Sequence, residues 1–510
     1  MCYTGFHNKP FNTIYEHQIL LVLTCHDNAA LNLKIDHTRQ LPPTSGPLQT
    51  TLAKRLGVAY SGTMAAPPNP TIFALATVSG RAGVAVIRIS GSLAGRALDT
   101  MAGGRPGPRQ AAYRQFKHPV TGALLDRGLV LWFPGPASFT GEDVAEFHLH
   151  GGRAVTKALL DALGALPGLS GAEPGEFTRR AFDNGKIDLA EAEGLADLIE
   201  AETEAQRRHA LATASGVLSA IYEGWRQTLI EATALVEASI DFSDEADVSA
   251  NAMAKARSLV LGLHAQFQGF LADGHRGEIL RDGFRVVLAG LPNVGKSSLL
   301  NALARRDAAI VSEEAGTTRD VIEVHLDLEG YPVVISDTAG IRQTVVKVER
   351  EGIRRSVAAA RTADLVVWLM DGQSADASFP KELADLGDRT MAVVSKADLL
   401  PAKRLKALPA NLPAISVMTG QGMNDMIKLI AGMASEGIGG AQTVITSSRQ
   451  RGLVAAANTA LEAFLGGSMA EPELRAEDLR TAATALGRIT GRVDVEDVLD
   501  QIFKRFCIGK

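Results

Sequence analysis

The spacing of apolar positions changes character several times along the chain. Residues 1–63 hold no sustained period and carry four scattered histidines and the loop-like stretch LPPTSGP (Leu41–Pro47). From Thr71 onward, short apolar runs bounded by glycine alternate with helical spacing. TIFALATV (Thr71–Val78), GVAVIRISG (Gly83–Gly91) and GLVLWFPG (Gly128–Gly135) predict strands, and AVTKALLDALGAL (Ala154–Leu166) predicts a helix. Together they predict an α+β domain. From Asp188 to Asp273 the chain turns rich in Ala, Leu and Glu, nearly free of Pro, and apolar at helical spacing; the same texture returns from Ser448 to Phe506. Between these stretches lies a strand/helix alternation that predicts a separate α/β unit. The economical arrangement is one discontinuous α-helical domain with the α/β unit inserted, because the ends of a compact domain often lie close together. The predicted boundaries are 1–63, 64–187, 188–282, 283–440 and 441–510.

Composition changes this picture little. At 510 residues the chain exceeds what one apolar core serves, so a multidomain α/β protein is expected. A net charge of −5 excludes a generally basic, nucleic-acid-coating protein but leaves room for a local basic face. Of three cysteines, Cys2 and Cys25 lie in the aperiodic N-terminal stretch and Cys507 stands alone in the body, as suits a reducing, cytoplasmic setting. The run ILLVLTC (Ile19–Cys25) is far shorter than the roughly 20 residues of a membrane helix. It follows the acidic Glu16 without a basic flank, so neither a membrane span nor a secretory signal is predicted. Met64 precedes AAPPNP and the first strong strand; residues 1–63 are therefore read as a mis-started extension, the alternative being a disordered native extension or targeting piece.

The candidate chemistry lies in the α/β unit. The buried-strand pattern FRVVLAG (Phe284–Gly290) runs into GLPNVGKS (Gly290–Ser297) and the helical SLLNALARR, which is a phosphate loop in its strand–loop–helix context. Its glycines let backbone N–H groups turn toward phosphate oxygens, and the helix N-terminus adds a favourable dipole. Lys296 is expected at the β- and γ-phosphates, and Ser297 supplies a hydroxyl to Mg²⁺. Three elements follow in order, two of them ending predicted strands. AGTTRD (Ala315–Asp320) offers Thr318 as the second Mg²⁺ hydroxyl. DTAG (Asp337–Gly340) offers Asp337 toward the metal through water and the Gly340 amide toward the γ-phosphate. SKAD (Ser395–Asp398) offers Lys396 to cover the base and Asp398 to accept from guanine N1–H and the 2-amino group. Adenine lacks that donor pair, so Asp398 selects GTP. Singly, DTAG could be a turn and SKAD a helix cap; four motifs in order make a P-loop G domain of Ras-like α/β type. The expected nucleotide contacts are Asn293, Val294, Gly295, Lys296, Ser297 and Ser298; Ser312, Glu313, Glu314, Ala315, Gly316, Thr317 and Thr318; Asp337, Thr338, Ala339 and Gly340; and Ser395, Lys396, Ala397 and Asp398.

Two positions depart from common G-domain patterns. Ser395 stands where guanine loops usually begin with Asn; the shorter side chain is expected to lose a hydrogen bond to the phosphate loop and loosen nucleotide binding. Ile341, after DTAG, cannot orient a water, so another group must. The amide of Asn293 could seat a monovalent cation in place of an arginine finger, or simply bond within its loop. SVMTGQG (Ser416–Gly422) is an approximate match to the last base-contacting loop.

These motifs, with FPGPASFTGEDVAEFHLHGG (Phe133–Gly152), PGEFTRRAFDNGKIDLAEAEGLADLI (Pro174–Ile199) and the terminal CIGK (Cys507–Lys510), resemble the tRNA modification GTPase family MnmE, or TrmE, over residues 71–510. The resemblance implies a K⁺ ion joining two G domains, held at Asn293, Ser312, Glu314 and Thr317, and a water-orienting carboxylate at Glu349, otherwise an ordinary helix-start acid. It implies an N-terminal domain that dimerises and binds 5-formyl- or 5,10-methylene-tetrahydrofolate through Arg88, Glu146, Lys186 and Lys510. It implies a homodimer acting on tRNA in a heterotetramer-type complex with MnmG, an FAD- and NADH-dependent partner, at the wobble uridine. Cys507 is either a small buried hydrophobe or a candidate reactive thiol. Val345 and Val346 replace a normally acidic stretch before Glu349.

Two other classes fit the sequence less well. A regulatory GTPase of ribosome assembly predicts a basic RNA-binding domain after the G domain, whereas EPELRAEDLR and GRVDVEDVLD are acidic. A structural scaffold leaves a complete phosphate loop unexplained.

Overall fold

The computed structural model describes residues 22–24, 32–34, 70–242, 244, 246–272, 274–306, 309–310, 323–337, 361–373, 386–409, 412–439, 446–493 and 496–509. The chain divides into two units, Met1–Pro68 and Asn69–Lys510. In the first, β1 (Val22–Thr24) pairs antiparallel with β2 (Asn32–Lys34). No periodicity predicted that pair.

In the second unit the N-terminal segment builds a six-stranded sheet of described residues. Its strands are β3 (Thr71–Leu75), β4 (Ala82–Ser90), β5 (Ala112–Lys117), β6 (Leu124–Phe133), β7 (Val144–Gly151) and β8 (Leu169–Gly171), in the order β5-β6-β7-β4-β3-β8. Only β3 and β8 run parallel. One face is a mature core: Phe73, Ile87, Ile89, Val130, Phe147 and Leu149 pack under α1 (Ala94–Met101) and α2 (Arg153–Gly164). The other face carries Arg88 and Glu146, direct partners across β4 and β7, and is partly covered by α3 (Glu176–Asp183) through Phe177 on Ile72 and Ala74.

A second core is all helical. It joins α4 (Leu189–Glu200), α6 (Val217–Asp241) and α7 (Ala246–Ala272) to α12 (Ser448–Gly466) and α13 (Pro472–Thr490), while α5 (Glu204–Ala214) lies between α4 and α6. On α6 the buried residues are Leu218, Tyr222, Trp225, Leu229, Ala232, Val236 and Ser239, steps of four and three that keep one stripe inward. Trp225 anchors the bundle, its ring 4.7 Å from Phe267 and 4.9 Å from Phe270. Polar groups close one end. Arg449 donates to both oxygens of Glu193 at 2.8 and 3.0 Å, Gln450 donates to the same carboxylate, and Tyr222 donates to Gln450 at 2.8 Å. Helix α4 starts on a capping box between Asp188 and Glu191, which satisfies two end N–H groups reciprocally.

The third core is a six-stranded α/β sheet ordered β10 (Ala309–Ile310), β11 (Glu323–Leu328), β12 (Tyr331–Asp337), β9 (Phe284–Gly290), β13 (Leu365–Asp371), β14 (Thr390–Ser395). β12, β9, β13 and β14 are parallel, and β9 and β13 are nearly continuous apolar runs, as strands covered on both faces must be. Helices α9 (Lys296–Ala304) and α11 (Met423–Ile438) supply core residues; α10 (Ala402–Lys406) buries none. Helix α8 (Gly274–Asp282) also buries Ile279 and Leu280 in this core. The chain ends on α14 (Glu496–Phe503), whose Phe503 packs with Phe506 against Leu189, Ala192 and Ala196 of α4.

Glu193 is buried and Arg449 is largely covered, so removing one partner leaves the other charge poorly solvated. Glu193→Ala is expected to lower the unfolding free energy by about 3–5 kcal/mol in urea titration, and Glu193→Leu with Arg449→Met to recover most of it. A loss of under about 1 kcal/mol for the single change would contradict this account of the pair.

Candidate functional site

Open α/β sheets hold their ligands at the carboxyl ends of the parallel strands. After β9 the phosphate loop adopts positive φ at Gly290 (147°), Asn293 (61°) and Gly295 (105°). Gly290 needs both its conformation and its missing side chain, since a Cβ there would sit 2.5 Å from the Leu369 carbonyl of β13. Gly295 caps α9 with no side-chain bond, leaving the first-turn N–H groups as an anion site. The Lys296 ammonium is folded back over the loop and donates to the carbonyls of Gly290 and Leu291 at 2.9 and 3.0 Å. Burial pushes its pKa down, with Asp337 opposing. Ser297 Oγ donates to Asp337 Oδ2 at 2.7 Å, so the hydroxyl and carboxylate predicted to face the metal are neighbours across β9 and β12. Val294 is buried, whereas Asn293 and Ser298 are exposed at the rim.

The base end is built by β13 and β14. Lys396 takes a left-handed backbone (φ 56°), and its ammonium bonds Asp371 Oδ2 at 2.7 Å, which holds that carboxyl below the usual carboxylate range. Asp398 is exposed at the start of a short 3₁₀ turn, and buried Ala397 donates its N–H to the Ile415 carbonyl at 2.9 Å. Ser395 corrects an expectation. Its hydroxyl, 5% exposed, lies 2.7 Å from the Val294 carbonyl and 3.1 Å from that of Met370. The short side chain therefore does tie the guanine loop to the phosphate loop, because the backbones approach closely enough for a hydroxyl to span them. Asp371 escaped the sequence reading; its signal was an acid ending the strand LVVWLMD, like Asp337 on YPVVISD.

Ser312, Glu313, Glu314, Ala315, Gly316, Thr317, Thr318, Thr338, Ala339, Gly340, Ile341, Glu349 and Lys510 lie outside the described residues.

On the sheet of the N-terminal segment, Arg88 and Glu146 meet directly. Nε of Arg88 donates to Glu146 Oε1 at 3.0 Å, and His148 Nε2 lies 3.1 Å from Oε2. Burial pushes the Glu146 carboxyl up, but His148 and Arg88 outweigh it and hold the group below its ordinary value. Arg88 sits between two rings, 5.8 Å from Phe139 and 6.0 Å from Phe177. Phe139 belongs to the 134–143 loop, and Lys186 bonds the Pro136 carbonyl of that loop at 2.9 Å. Arg180 pins the same loop by bonding Glu142 while also holding Glu176 and the Pro70 carbonyl. His148 and the two rings were not singled out from sequence, although HLH alternates with the buried Phe147 and Leu149.

The C-terminal tail reaches this segment. Ile508 bridges Pro174, and a Cβ on Gly509 would overlap the Leu75 carbonyl. Cys507 is exposed, so its reading as a small buried hydrophobe does not hold.

Residues 189–507 match the family model of the MnmE helical domain, and residues 71–186 match that of the GTP-binding protein TrmE N-terminus. The tRNA modification GTPase MnmE of Rhodopseudomonas palustris is 50% identical over 446 residues, spanning 87% of this chain and 100% of that protein. Its counterpart from Parvibaculum lavamentivorans is 51% identical over 446 residues, spanning 86% of this chain and 100% of that protein. Among solved structures, the FeoB G-domain from Methanococcus jannaschii aligns with 30% of this chain and 98% of that one, at 23% identity and a TM-score of 0.23.

If Ser395 ties the two loops as described, Ser395→Ala raises the Kd for GDP about fivefold, the equivalent of one neutral hydrogen bond of roughly 1 kcal/mol. Fluorescent-GDP titration reads this directly; an unchanged Kd would mean the hydroxyl contributes nothing to binding.

Proposed function

The chain belongs to the MnmE family of tRNA modification GTPases, and from that premise we propose how its three cores divide the work. It is a GTP hydrolase of tRNA modification, and nucleotide and Mg²⁺ use go with that chemistry. The observation that carries the finer reading is identity of about half over the full length of its relatives, together with the phosphate loop after β9, Asp337 at the end of β12 and the SKAD motif at the end of β14.

The proposed substrate is the wobble uridine, position 34, of tRNA. Its C5 receives a carboxymethylaminomethyl- or aminomethyl-type group in a cytoplasmic complex with MnmG. The α/β core is read as inserted in a discontinuous helical domain, supported by the single apolar core that residues 190–267 and 454–489 share. In that α/β core Lys296 holds the β- and γ-phosphates, Ser297 and Asp337 face Mg²⁺ with Thr318, and Asp398 accepts the guanine edge. The metal would neutralise charge developing on the phosphates. Asn293, with Ser312, Glu314 and Thr317, is read as the K⁺ site between two G domains; the exposure of Asn293 at the loop rim supports this. Glu349 is read as the group that orients water.

The N-terminal segment is read as the dimerising, tetrahydrofolate-binding domain. A folate presents glutamate carboxylates and a pterin amide edge, which suit a guanidinium and a carboxylate respectively. Arg88, Glu146 and Lys186 offer that set around one loop, with Phe139 and Phe177 giving flat apolar surface beside Arg88. Lys510 completes it from the tail, and a folate there would supply the one-carbon unit.

GTP turnover is expected to run at least about tenfold faster in potassium than in sodium, and Glu349→Ala to lower kcat about 100-fold, the usual scale for losing a proton-handling group. Equal rates in the two salts remove the cation reading. Mass spectrometry of tRNA nucleosides tests the larger claim: a strain lacking this chain should lose the C5 modification, and Lys296→Ala should fail to restore it. Full modification in the deletion strain would sink the tRNA assignment.

A further inference from the structure

Helix α4 holds three separated parts of the chain with different sets of side chains. Leu189, Ala192 and Ala196 pack against Leu499, Ile502, Phe503 and Phe506, fixing α14 and the start of the tail to this helix. Glu193 receives Arg449 and Gln450, just beyond the point where the chain returns from the G core. One turn further, Asp197 Oδ1 accepts from Arg505 at 2.9 Å and lies 3.8 Å from Nε of Arg281.

The two arginines follow different apolar cores. Arg281 sits on α8, whose neighbouring Ile279 and Leu280 are buried in the G core, so its position follows that core. Arg505 lies two residues before Cys507, in the tail that bridges Pro174 and abuts Leu75. One carboxylate oxygen therefore stands between a cation carried by the G core and a cation carried by the tail. The two contacts differ in kind: Arg505 makes a hydrogen bond, whereas Arg281 at 3.8 Å makes an ion pair without one. Arg505 has a second partner, donating to Glu200 Oε2 at 2.7 Å. A small movement of α8 toward Asp197 makes Arg281 compete for Oδ1 and shifts Arg505 onto Glu200, whereas a movement away leaves Oδ1 to Arg505. A cavity of about 40 Å³ lies beside the pair, lined by Glu200, Gln206, His209 and Thr446. Gln206 adds a tether, donating to the Arg281 carbonyl at 3.1 Å.

We infer that Asp197 is a positioning residue that passes the nucleotide state of the G core to the C-terminal tail, through Arg281 on one side and Arg505 on the other. The inference rests on the proposed reading that GTP turnover drives chemistry near that tail. It concerns none of the residues assigned to nucleotide, metal or folate.

The test uses the full chain carrying Cys2→Ser and Cys25→Ser, so that Cys507 is the reporting thiol. Its rate of reaction with a disulfide reagent is measured in potassium and magnesium buffer, with GDP and with GDP plus aluminium fluoride. A change of at least threefold between the two is expected. In Asp197→Asn the ratio should fall to near one while phosphate release from GTP stays within twofold; Asp197→Glu should recover most of the ratio. Retention of the full ratio in Asp197→Asn overturns the inference, as does a ratio of one in the parent protein. Should Asp197→Asn not fold, Arg281→Gln removes only the cation on the G-core side, and the same two outcomes apply. Absence of phosphate release in the parent strikes the GTPase reading instead, since the labelling ratio is read with bound nucleotide and needs no turnover.

Discussion

The buried ion pair of Glu193 with Arg449 is the contact on which the helical core depends. It joins residues 256 apart in sequence, at the place where the chain comes back from the G core. Such a pair adds little net stability over a well-packed apolar one, because desolvation consumes most of the attraction. Its contribution here is register. The stripes on α6, α12 and α13 are largely apolar, and a slide by one turn would still place apolar groups inward. A carboxylate that must meet Arg449 and Gln450, with Tyr222 bonded to Gln450 in turn, tolerates no such slide. The polar end fixes which turn of one half faces which turn of the other.

The same logic of short polar ties recurs in the G core. Ser395 joins the tip of β14 to the phosphate loop: its hydroxyl oxygen lies 2.7 Å from the Val294 carbonyl, with the Met370 carbonyl of β13 at 3.1 Å as the second acceptor within reach of its one proton. Lys396 and Asp371 form a second tie between the same two strands. Both hold the loops that present Asp398 and the α9 N-terminus at a set separation, and positional accuracy of this kind is what binding and phosphoryl transfer draw on.

Legibility in the sequence followed the strength of the local signal. β9, β12 and β14 were readable because their strands are apolar and end in motifs whose spacing is demanded by phosphate and guanine. The helical segments were readable because the Ala- and Leu-rich stripes repeat for many turns. β7 was less so: VAEFHLHG reads as a polar motif until its alternation is counted, since Glu146, His148 and His150 occupy the face opposite Ala145, Phe147 and Leu149. The role of Ser395 was misjudged because a comparison of side-chain lengths carries no information about how near the Val294 carbonyl comes. Arg281 and Arg505 meeting at one carboxylate was invisible for the same reason: both are ordinary surface-type cations until a helix between them brings them within 4 Å of Asp197.

The contacts around α4 also differ in how readily they can be remade. The tail is bound to it by Phe503, Phe506, Ile502 and Leu499, an apolar seam whose separation would expose large side chains to water. Apart from the small Ala205 side chain on its apolar core, the G core meets the same region through polar contacts: Ala205 N–H to the Gly330 carbonyl at 3.0 Å, Gln206 to the Arg281 carbonyl, and Arg281 to Asp197 without a hydrogen bond. Hydrogen bonds and ion pairs of this kind can be remade with neighbouring polar partners over a small displacement, at less cost than parting large apolar side chains. An apolar seam is not exchangeable in this way. Any rearrangement of the G core is therefore expected to slip at the polar boundary while α4, α14 and the start of the tail move as one piece. That division makes the cation pair at Asp197, and not the aromatic seam, the place where movement on one side is felt on the other.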